Sequence, residues 1–365
     1  MPIICNLTGF IPSIIIMLFT ALYMNITAKM IIQANFIYQL DNIIDLSEKV
    51  LGKKIKIISS IIFTLLFTTI LSAYISKGGN LIQELILIST NLNIKIELCY
   101  IYLILFSTLI INLKNKNFDN INNIFIIIFI IIFIFLIYKL IKNIKISNLI
   151  TYNLTNAKYI YTILITAFGF HNILPYIKNN YKEHSKIKNI IDIGMIITFI
   201  IYVVWIFLIL SIMPSNDSFN AIKEYHDDKI VTELILNYAN FQNTFLTINT
   251  FALLAIVTSI LGISMGMKLF FTKLLNLKQN IINKLILSII IFLPPVLILS
   301  TYKNIFFIAL NLAGGIFTLI LFGLLPSVIL LKTDKIKVKS IALCKIKILT
   351  IITILMILIS VILYT

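Results

Sequence analysis

The sequence lacks arginine and has few charged residues of any kind. All 30 basic residues are lysine, and only 12% of the 365 residues are charged, whereas 60% are hydrophobic. A soluble domain with one core carries about twice that charged fraction, so this class is excluded. The formal net charge of +16 does not indicate nucleic-acid binding, because the lysines flank apolar runs. The absence of arginine, with the excess of Ile and Asn, indicates AT-biased coding.

Other absences narrow the class further. Cys5, Cys99 and Cys344 are isolated in the sequence, so neither a disulfide framework nor a metal site is expected. No span contains paired carboxylates, a metal-ligand cluster or a nucleophile–base spacing, so an enzyme is disfavoured and no cofactor is expected. The chain begins apolar, without a basic n-region or a cleavage site, so no signal peptide is predicted.

Apolar runs long enough to cross a bilayer as helices fill the chain, and the mean hydropathy is +1.04. None alternates between apolar and polar residues as barrel strands do. We therefore predict an all-α integral membrane protein, a single transmembrane domain over residues 1–365, with about ten full spans after an N-terminal apolar stub, Met1 to Thr8. The predicted spans are 10–36, 57–80, 98–113, 122–138, 159–177, 189–213, 243–267, 285–301, 304–331 and 348–364.

The lysines are distributed unequally between alternate loops. If the loop after the first span is cytoplasmic, about two in three lysines lie on its side, as the positive-inside rule expects. The cluster from Lys139 to Lys145 opposes this orientation. On the same orientation the C-terminal Thr365 and the segment 214–242 lie outside. The acidic residues of that segment are Asp217, Glu224, Asp227, Asp228 and Glu233.

One predicted span, 159–177, contains residues that disfavour a helix in mid-membrane. Gly169 lacks a side chain, Asn172 is a poor helix former, and Pro175 removes a backbone donor. An interrupted helix exposes backbone groups that need partners, and such helices hold substrate in many secondary transporters. His171 lies in the same stretch and can titrate near neutral pH. It is either a site residue, with a proton-carrying role as one option, or a packed histidine that bonds across helices.

The remaining polar residues of the spans allow structural interpretations. Lys29 and Lys77 lie near span ends and are predicted to snorkel, and Asp192 is predicted to be interfacial. The hydroxyls of Thr258 and Ser259 either coordinate a cation or bond back to their own helix. A run of small residues, Ala313, Gly314 and Gly315, predicts close helix packing.

Four segments resemble, in the same order, those of the bacterial tryptophan/tyrosine permeases, the aromatic amino acid permease family. They are AYISKGGNLI (73–82), TAFGFHNILPYIKNNYKEHSKIKNII (166–191), VTSILGISMG (257–266) and ALNLAGGIFTLILFGLLPS (309–327). The resemblance covers essentially the whole chain. It implies a leucine-transporter-like fold of the amino acid–polyamine–cation superfamily, with two inverted five-helix repeats and an eleventh helix. It also implies proton-driven import of tryptophan or tyrosine across the bacterial inner (cytoplasmic) membrane.

The resemblance also implies roles for individual residues. The family's sixth helix, counting the N-terminal stub as the first, is unwound at its centre, and the third helix reaches the substrate. Thr258 and Ser259 occupy the position at which sodium-coupled relatives hold their cation. The residues implied to bind substrate are Tyr74, Phe168, Gly169, Phe170, His171 and Asn172, with His171 the candidate for proton coupling.

Two departures from the family pattern leave alternatives open. Met1-Pro2 resembles the Met-Pro just past the break in the family's first helix, so the first half of that helix is expected to be missing. Lys77 stands where the family usually has a small residue. The alternatives are the same fold carrying serine or another small amino acid, and a truncated remnant that does not transport.

Overall fold

The structure, a computed structural model, describes residues 1–150, 157–212, 245–278, 280–301, 313–333 and 340–364. Within these residues the regular structure is helical and no strand occurs. Nine helices of the described part are long and apolar enough to cross a membrane. These helices expose many large apolar side chains, which require a lipid environment. The prediction of an all-α integral membrane protein is confirmed.

The described helices are numbered here in chain order. The first seven are α1 (Pro2–Thr8), α2 (Phe10–Tyr38), α3 (Ile43–Leu51), α4 (Lys53–Thr90), α5 (Ile96–Ile111), α6 (Asn115–Leu140) and α7 (Ser147–Ile150). The next seven are α8 (Ala157–Ala167), α9 (Leu174–Asn180), α10 (His184–Ile212), α11 (Phe245–Leu274), α12 (Ile281–Thr301), α13 (Leu325–Lys332) and α14 (Ser340–Tyr364). Ile141–Asn143 and His171–Ile173 are 3₁₀ turns, and Ala313–Leu324 is a π-helical segment.

Local sequence explains several of the helix ends. Gly9 follows the last residue of α1 and Gly52 follows the last residue of α3, with φ of 94° and 95°, values that an L side chain rarely adopts. At the start of α3 the Asn42 side-chain oxygen accepts a hydrogen bond from the Asp45 backbone N–H at 2.8 Å. This bond satisfies one of the donors that every helix N-terminus leaves without an intrahelical partner.

Several helices extend beyond the apolar runs that predicted them. α4 has 38 residues, about 57 Å at 1.5 Å per residue, although the prediction was 57–80. Lys268 and Lys284 lie within α11 and α12 rather than in the loop between them. The reason is that lysine is a good helix former, so a helix need not end where its apolar run ends.

One predicted span differs from the structure, and several predicted segments lie outside the described residues. The predicted span 159–177 is two helices, α8 and α9, separated by an interruption. Of the predicted span 304–331, residues 304–312 lie outside the described residues, as do Thr365 and the whole acidic segment 214–242.

The chain divides into two compact units. Unit 1 comprises Met1–Pro12, Thr68–Thr155 and Val204–Ala309. In it, α11 packs against α5, α6 and α12. Aromatic rings fill part of this packing, with Phe251 stacked on Phe129 at 4.7 Å between centroids.

Unit 2 comprises Ser13–Phe67, Asn156–Val203 and Leu310–Thr365. Its π-helical segment packs against α8 and α14. Glycines permit this close approach, because a Cβ on Gly314 would overlap the Thr162 backbone carbonyl and the Thr166 hydroxyl. The prediction that the small-residue run serves helix packing is confirmed.

Gly314→Ala should therefore destabilise the protein. The added methyl meets backbone atoms that cannot rotate away, and overpacking of this kind costs about 1–3 kcal/mol. Thermal unfolding of the purified protein measures the effect. Gly194→Ala is the control, since nothing lies within 4 Å of a Cβ at that exposed helical position. Equal unfolding temperatures for the two variants would contradict the packing assignment.

Candidate functional site

A helix in unit 2 is interrupted where the sequence predicted it. α8 ends at Ala167, the chain is irregular through Phe168–Phe170, and a 3₁₀ turn leads into α9. Pro175 lies in the first turn of α9, where a missing N–H removes no intrahelical hydrogen bond. His171 and Asn172 belong to the 3₁₀ turn, so the fully irregular part is shorter than the predicted stretch.

The end of α8 is held by hydrogen bonds to its last carbonyls. The Phe168 N–H donates to Leu164 O at 2.9 Å, and the Gly169 N–H donates to Thr166 O at 3.0 Å. The Tyr202 hydroxyl donates to Ala167 O at 3.2 Å. These bonds fix the point at which the helix stops, which in turn fixes the position of the residues after it.

His171 is buried at this interruption, with 3% of its surface exposed. Its Nε2 lies 2.9 Å from the Thr27 hydroxyl oxygen. The Thr27 hydroxyl oxygen also lies 3.1 Å from Met24 O, and a hydroxyl has one hydrogen to give, so both hydrogen bonds form together only when it donates to Met24 O and accepts from Nε2–H. We therefore assign the imidazole proton to Nε2, which leaves Nδ1 as an acceptor. Nδ1 is buried and has no hydrogen-bond partner among the described residues.

Aromatic rings surround this imidazole. Phe322, from the π-helical segment, stacks on it at 4.7 Å between centroids with an interplanar angle of 14°. The Phe170 ring lies 5.2 Å away and is partly exposed. Phe67 continues the cluster behind Phe322 at 6.2 Å. The result is a polar nitrogen within a mostly apolar, aromatic environment.

A second polar group in unit 2 lies between α2 and α10. One carboxylate oxygen of Asp192 accepts from the Lys29 ammonium at 2.5 Å and from the Asn25 side-chain amide at 2.9 Å. Lys29 was predicted to snorkel and Asp192 to be interfacial, and the ion pair shows that neither description is sufficient. Asn25 and Lys29 are four residues apart and share one face of α2. That spacing indicates a polar face on α2, but it does not indicate Asp192 as its partner.

Lys77 departs from its prediction more strongly. It lies well inside α4 rather than near its end, and only 7% of its surface is exposed. The prediction that it snorkels is wrong, because its side chain is packed inside the protein and does not extend to the bilayer surface.

The predicted site residues of unit 1 also come together. The Tyr74 hydroxyl is hydrogen-bonded to Ser259. Ser259 donates to Ala255 O at 2.8 Å, and Thr258 donates to Leu254 O at 3.0 Å. Both hydroxyls thus bond back to their own helix, one of the two alternatives that the sequence left open. A hydroxyl oxygen that donates in this way keeps lone pairs, so a cation role for Thr258 and Ser259 stays a prediction. The described residues contain no cluster of His, Cys, Asp or Glu that could hold a metal ion.

A model of the tryptophan/tyrosine permease family matches residues 1–365. The chain belongs to this family. The resemblance predicted from four segments is therefore confirmed, and this permease is a multi-pass protein of the bacterial cytoplasmic membrane. Membership places it with transporters rather than with enzymes.

Named relatives differ in what they carry. The permease is 24% identical to tyrosine-specific transport system 1 of Haemophilus influenzae over 279 residues, which cover 74% of this chain and 68% of the relative. It is 24% identical to the tryptophan-specific transport protein of the same organism over 319 residues, 84% and 76% of the two chains. Glutamine transporter 2 of Aliivibrio fischeri is 24% identical over 279 residues, 74% and 68% of the two chains.

The ion pair of Lys29 and Asp192 gives a prediction for the permease. Lys29→Met or Asp192→Asn alone leaves one charge without its partner, whereas the double variant removes both charges. Each single variant should therefore unfold at a lower temperature than the double variant, with a coupling of roughly 0.2–1 kcal/mol because both side chains are partly exposed. The exposed Lys182→Met is the control for loss of a lysine. Additive effects of the two single changes would show that the pair contributes nothing.

Proposed function

We propose that the permease is a proton symporter that imports tryptophan or tyrosine. The observation that carries this proposal is the buried Nδ1 of His171, an acceptor without a partner in the described structure, at an interrupted membrane helix. A buried polar atom without a partner is costly, and because this one lies at the interruption, we take a ligand or a proton as its missing partner.

The geometry at His171 would allow one side chain to bind both a proton and the carboxylate of an amino acid. When Nδ1 takes a proton, the imidazole becomes a cation that donates through both ring nitrogens. The Nε2–H keeps its hydrogen bond to the Thr27 hydroxyl oxygen, and the new Nδ1–H can donate to the carboxylate of the amino acid. The cation and the carboxylate neutralise each other, so proton and substrate each increase the affinity for the other. Reciprocal coupling of this kind is what a symporter requires.

The rings beside His171 support an aromatic side chain as the substrate's other end. Phe170 is partly exposed, and aromatic pairs gain about 0.5–1.5 kcal/mol beyond the area that they bury. Two relatives are named for tyrosine and tryptophan. We also propose the leucine-transporter-like inverted repeat as the fold, because the interruption between α8 and α9 lies at the family's sixth helix.

The second candidate is the same transport with a small polar amino acid, serine or glutamine. A relative at the same identity is named for glutamine, so family membership alone does not select the substrate. Tyr74 stays a predicted substrate residue, as do Phe168, Gly169 and Asn172. A chain that does not transport is the remaining alternative, and uptake tests it directly.

Uptake of labelled tryptophan and tyrosine should be saturable in cells that lack other aromatic permeases. A protonophore should abolish it, and unlabelled glutamine or serine in excess should compete poorly. His171→Ala should lower uptake about 10-fold to 100-fold, since a lost hydrogen bond to a charged group costs about 1.5–3 kcal/mol.

His184→Ala is the matched control, because this histidine lies at the start of α10 and contacts Phe36. Full uptake by the His171 variant would remove this residue from the mechanism. Strong competition by glutamine would reassign the substrate and leave the coupling intact.

Thr27 is a positioning residue for His171. Its variants distinguish the effect of its hydroxyl, which orients the imidazole, from the effect of its side-chain volume. Thr27→Ser keeps the hydroxyl that accepts from Nε2 and should retain most uptake. Thr27→Val keeps the shape but removes the acceptor, so uptake should fall and its dependence on external pH should shift. If the valine variant keeps the wild-type pH profile, the hydrogen bond to Thr27 does not determine which ring nitrogen of His171 carries the proton.

A further inference from the structure

A cavity in unit 1 lies where α5, α6, α11 and α12 come together at their lysine-rich ends. Its volume is about 530 Å³, within the range of about 300–1,000 Å³ that small-molecule pockets occupy. Three of its lining residues are lysines, Lys114, Lys268 and Lys284, and none is a carboxylate. The other lining residues are Leu113, Asn115, Met265, Leu269 and Thr272.

Two of the three lysines are held in place by the end of a helix. Lys268 Nζ donates to Ile111 O at 2.6 Å, and Lys284 Nζ donates to Asn112 O at 3.0 Å. These carbonyls close α5, and the C-terminus of a helix carries partial negative charge. Each ammonium has three N–H donors, and the carbonyl takes one of them. The remaining donors are available to an anion in the cavity.

The cavity therefore has an excess of fixed positive charge. Lys268 is only 7% exposed, so bulk solvent screens its charge poorly. Lys284 lies close enough for the two ammonium groups to repel each other. Lys114 adds a third charge at the exposed start of α6. An anion with several acceptor oxygens would neutralise this repulsion and use the unused donors.

The surface beside the cavity indicates the source of that anion. α12 exposes Ile281, Ile282 and Leu285, with 78%, 67% and 56% of their surfaces accessible. These neighbours of Lys284 are apolar and suit acyl chains. The positive-inside rule assigns this end of the helices to the cytoplasm, where the leaflet is anionic. We infer that the cavity binds the phosphate group of an anionic phospholipid, with its chains on α12.

Native mass spectrometry of the purified permease tests this inference. The protein should retain phosphatidylglycerol but not phosphatidylcholine with the same acyl chains, because only the former is a net anion. Lys114→Met and Lys284→Met should each weaken phosphatidylglycerol binding about fivefold, the effect of one lysine near an anionic headgroup. Lys114 is exposed, so its variant leaves the interior packing unchanged.

Lys278→Met is the matched control, since Lys278 is exposed in the loop between α11 and α12 and does not line the cavity. It should bind phosphatidylglycerol as the wild type does. A second measurement, of thermal unfolding with inorganic phosphate, tests whether the cavity binds free phosphate and not a lipid. If phosphate stabilises the protein through Lys284 and phosphatidylglycerol does not, the lipid assignment is overturned. Equal lipid retention by all three variants would overturn it as well.

Discussion

The hydrocarbon of a membrane offers no hydrogen bonds, so each polar group within it needs a partner from the protein or from a ligand. Polar residues of two described clusters follow that constraint. The hydroxyls of Thr258 and Ser259 bond to carbonyls of their own helix. The Asp192 carboxylate accepts from both Lys29 and Asn25. Several buried side-chain atoms of the described residues lack a partner, and Nδ1 of His171 differs from them in lying at the interruption of a membrane helix.

The position of that nitrogen follows from the sequence around it. Pro175 suits the start of a helix, and Gly169 suits the irregular chain before it, so the helix breaks between them. The break places His171 against α2, where Thr27 fixes one ring nitrogen and leaves the other as an acceptor. Protonation at that nitrogen reverses its role from acceptor to donor. In the mechanism that we propose, this reversal lets a proton and a substrate carboxylate bind together, each more tightly than alone.

The apolar helices and the interruption could be predicted from the sequence, since each depends on local composition. The family could be predicted because four segments resemble those of known permeases. The sequence was less informative where a helix extends beyond its apolar run, as α4 does. The apolar run indicates which residues cross the membrane, whereas the helix ends depend on helix propensity. Lys77 was misplaced for this reason. The pairing of Lys29 with Asp192 and of Thr27 with His171 could not be predicted, since the partners are distant in sequence and meet only when the helices pack. The lysine cavity likewise depends on α5, α6, α11 and α12 together.

The measurement that tests the central claim most directly is ¹⁵N NMR of the histidine side chains in the purified permease, with and without tryptophan. The sequence has three histidines, and the His171→Ala spectrum assigns the relevant signal. Without substrate we expect the proton on Nε2 and an unprotonated Nδ1. Added tryptophan should increase the protonated fraction of Nδ1. An Nδ1 signal that saturating tryptophan leaves unchanged would contradict the coupling of proton and substrate at His171.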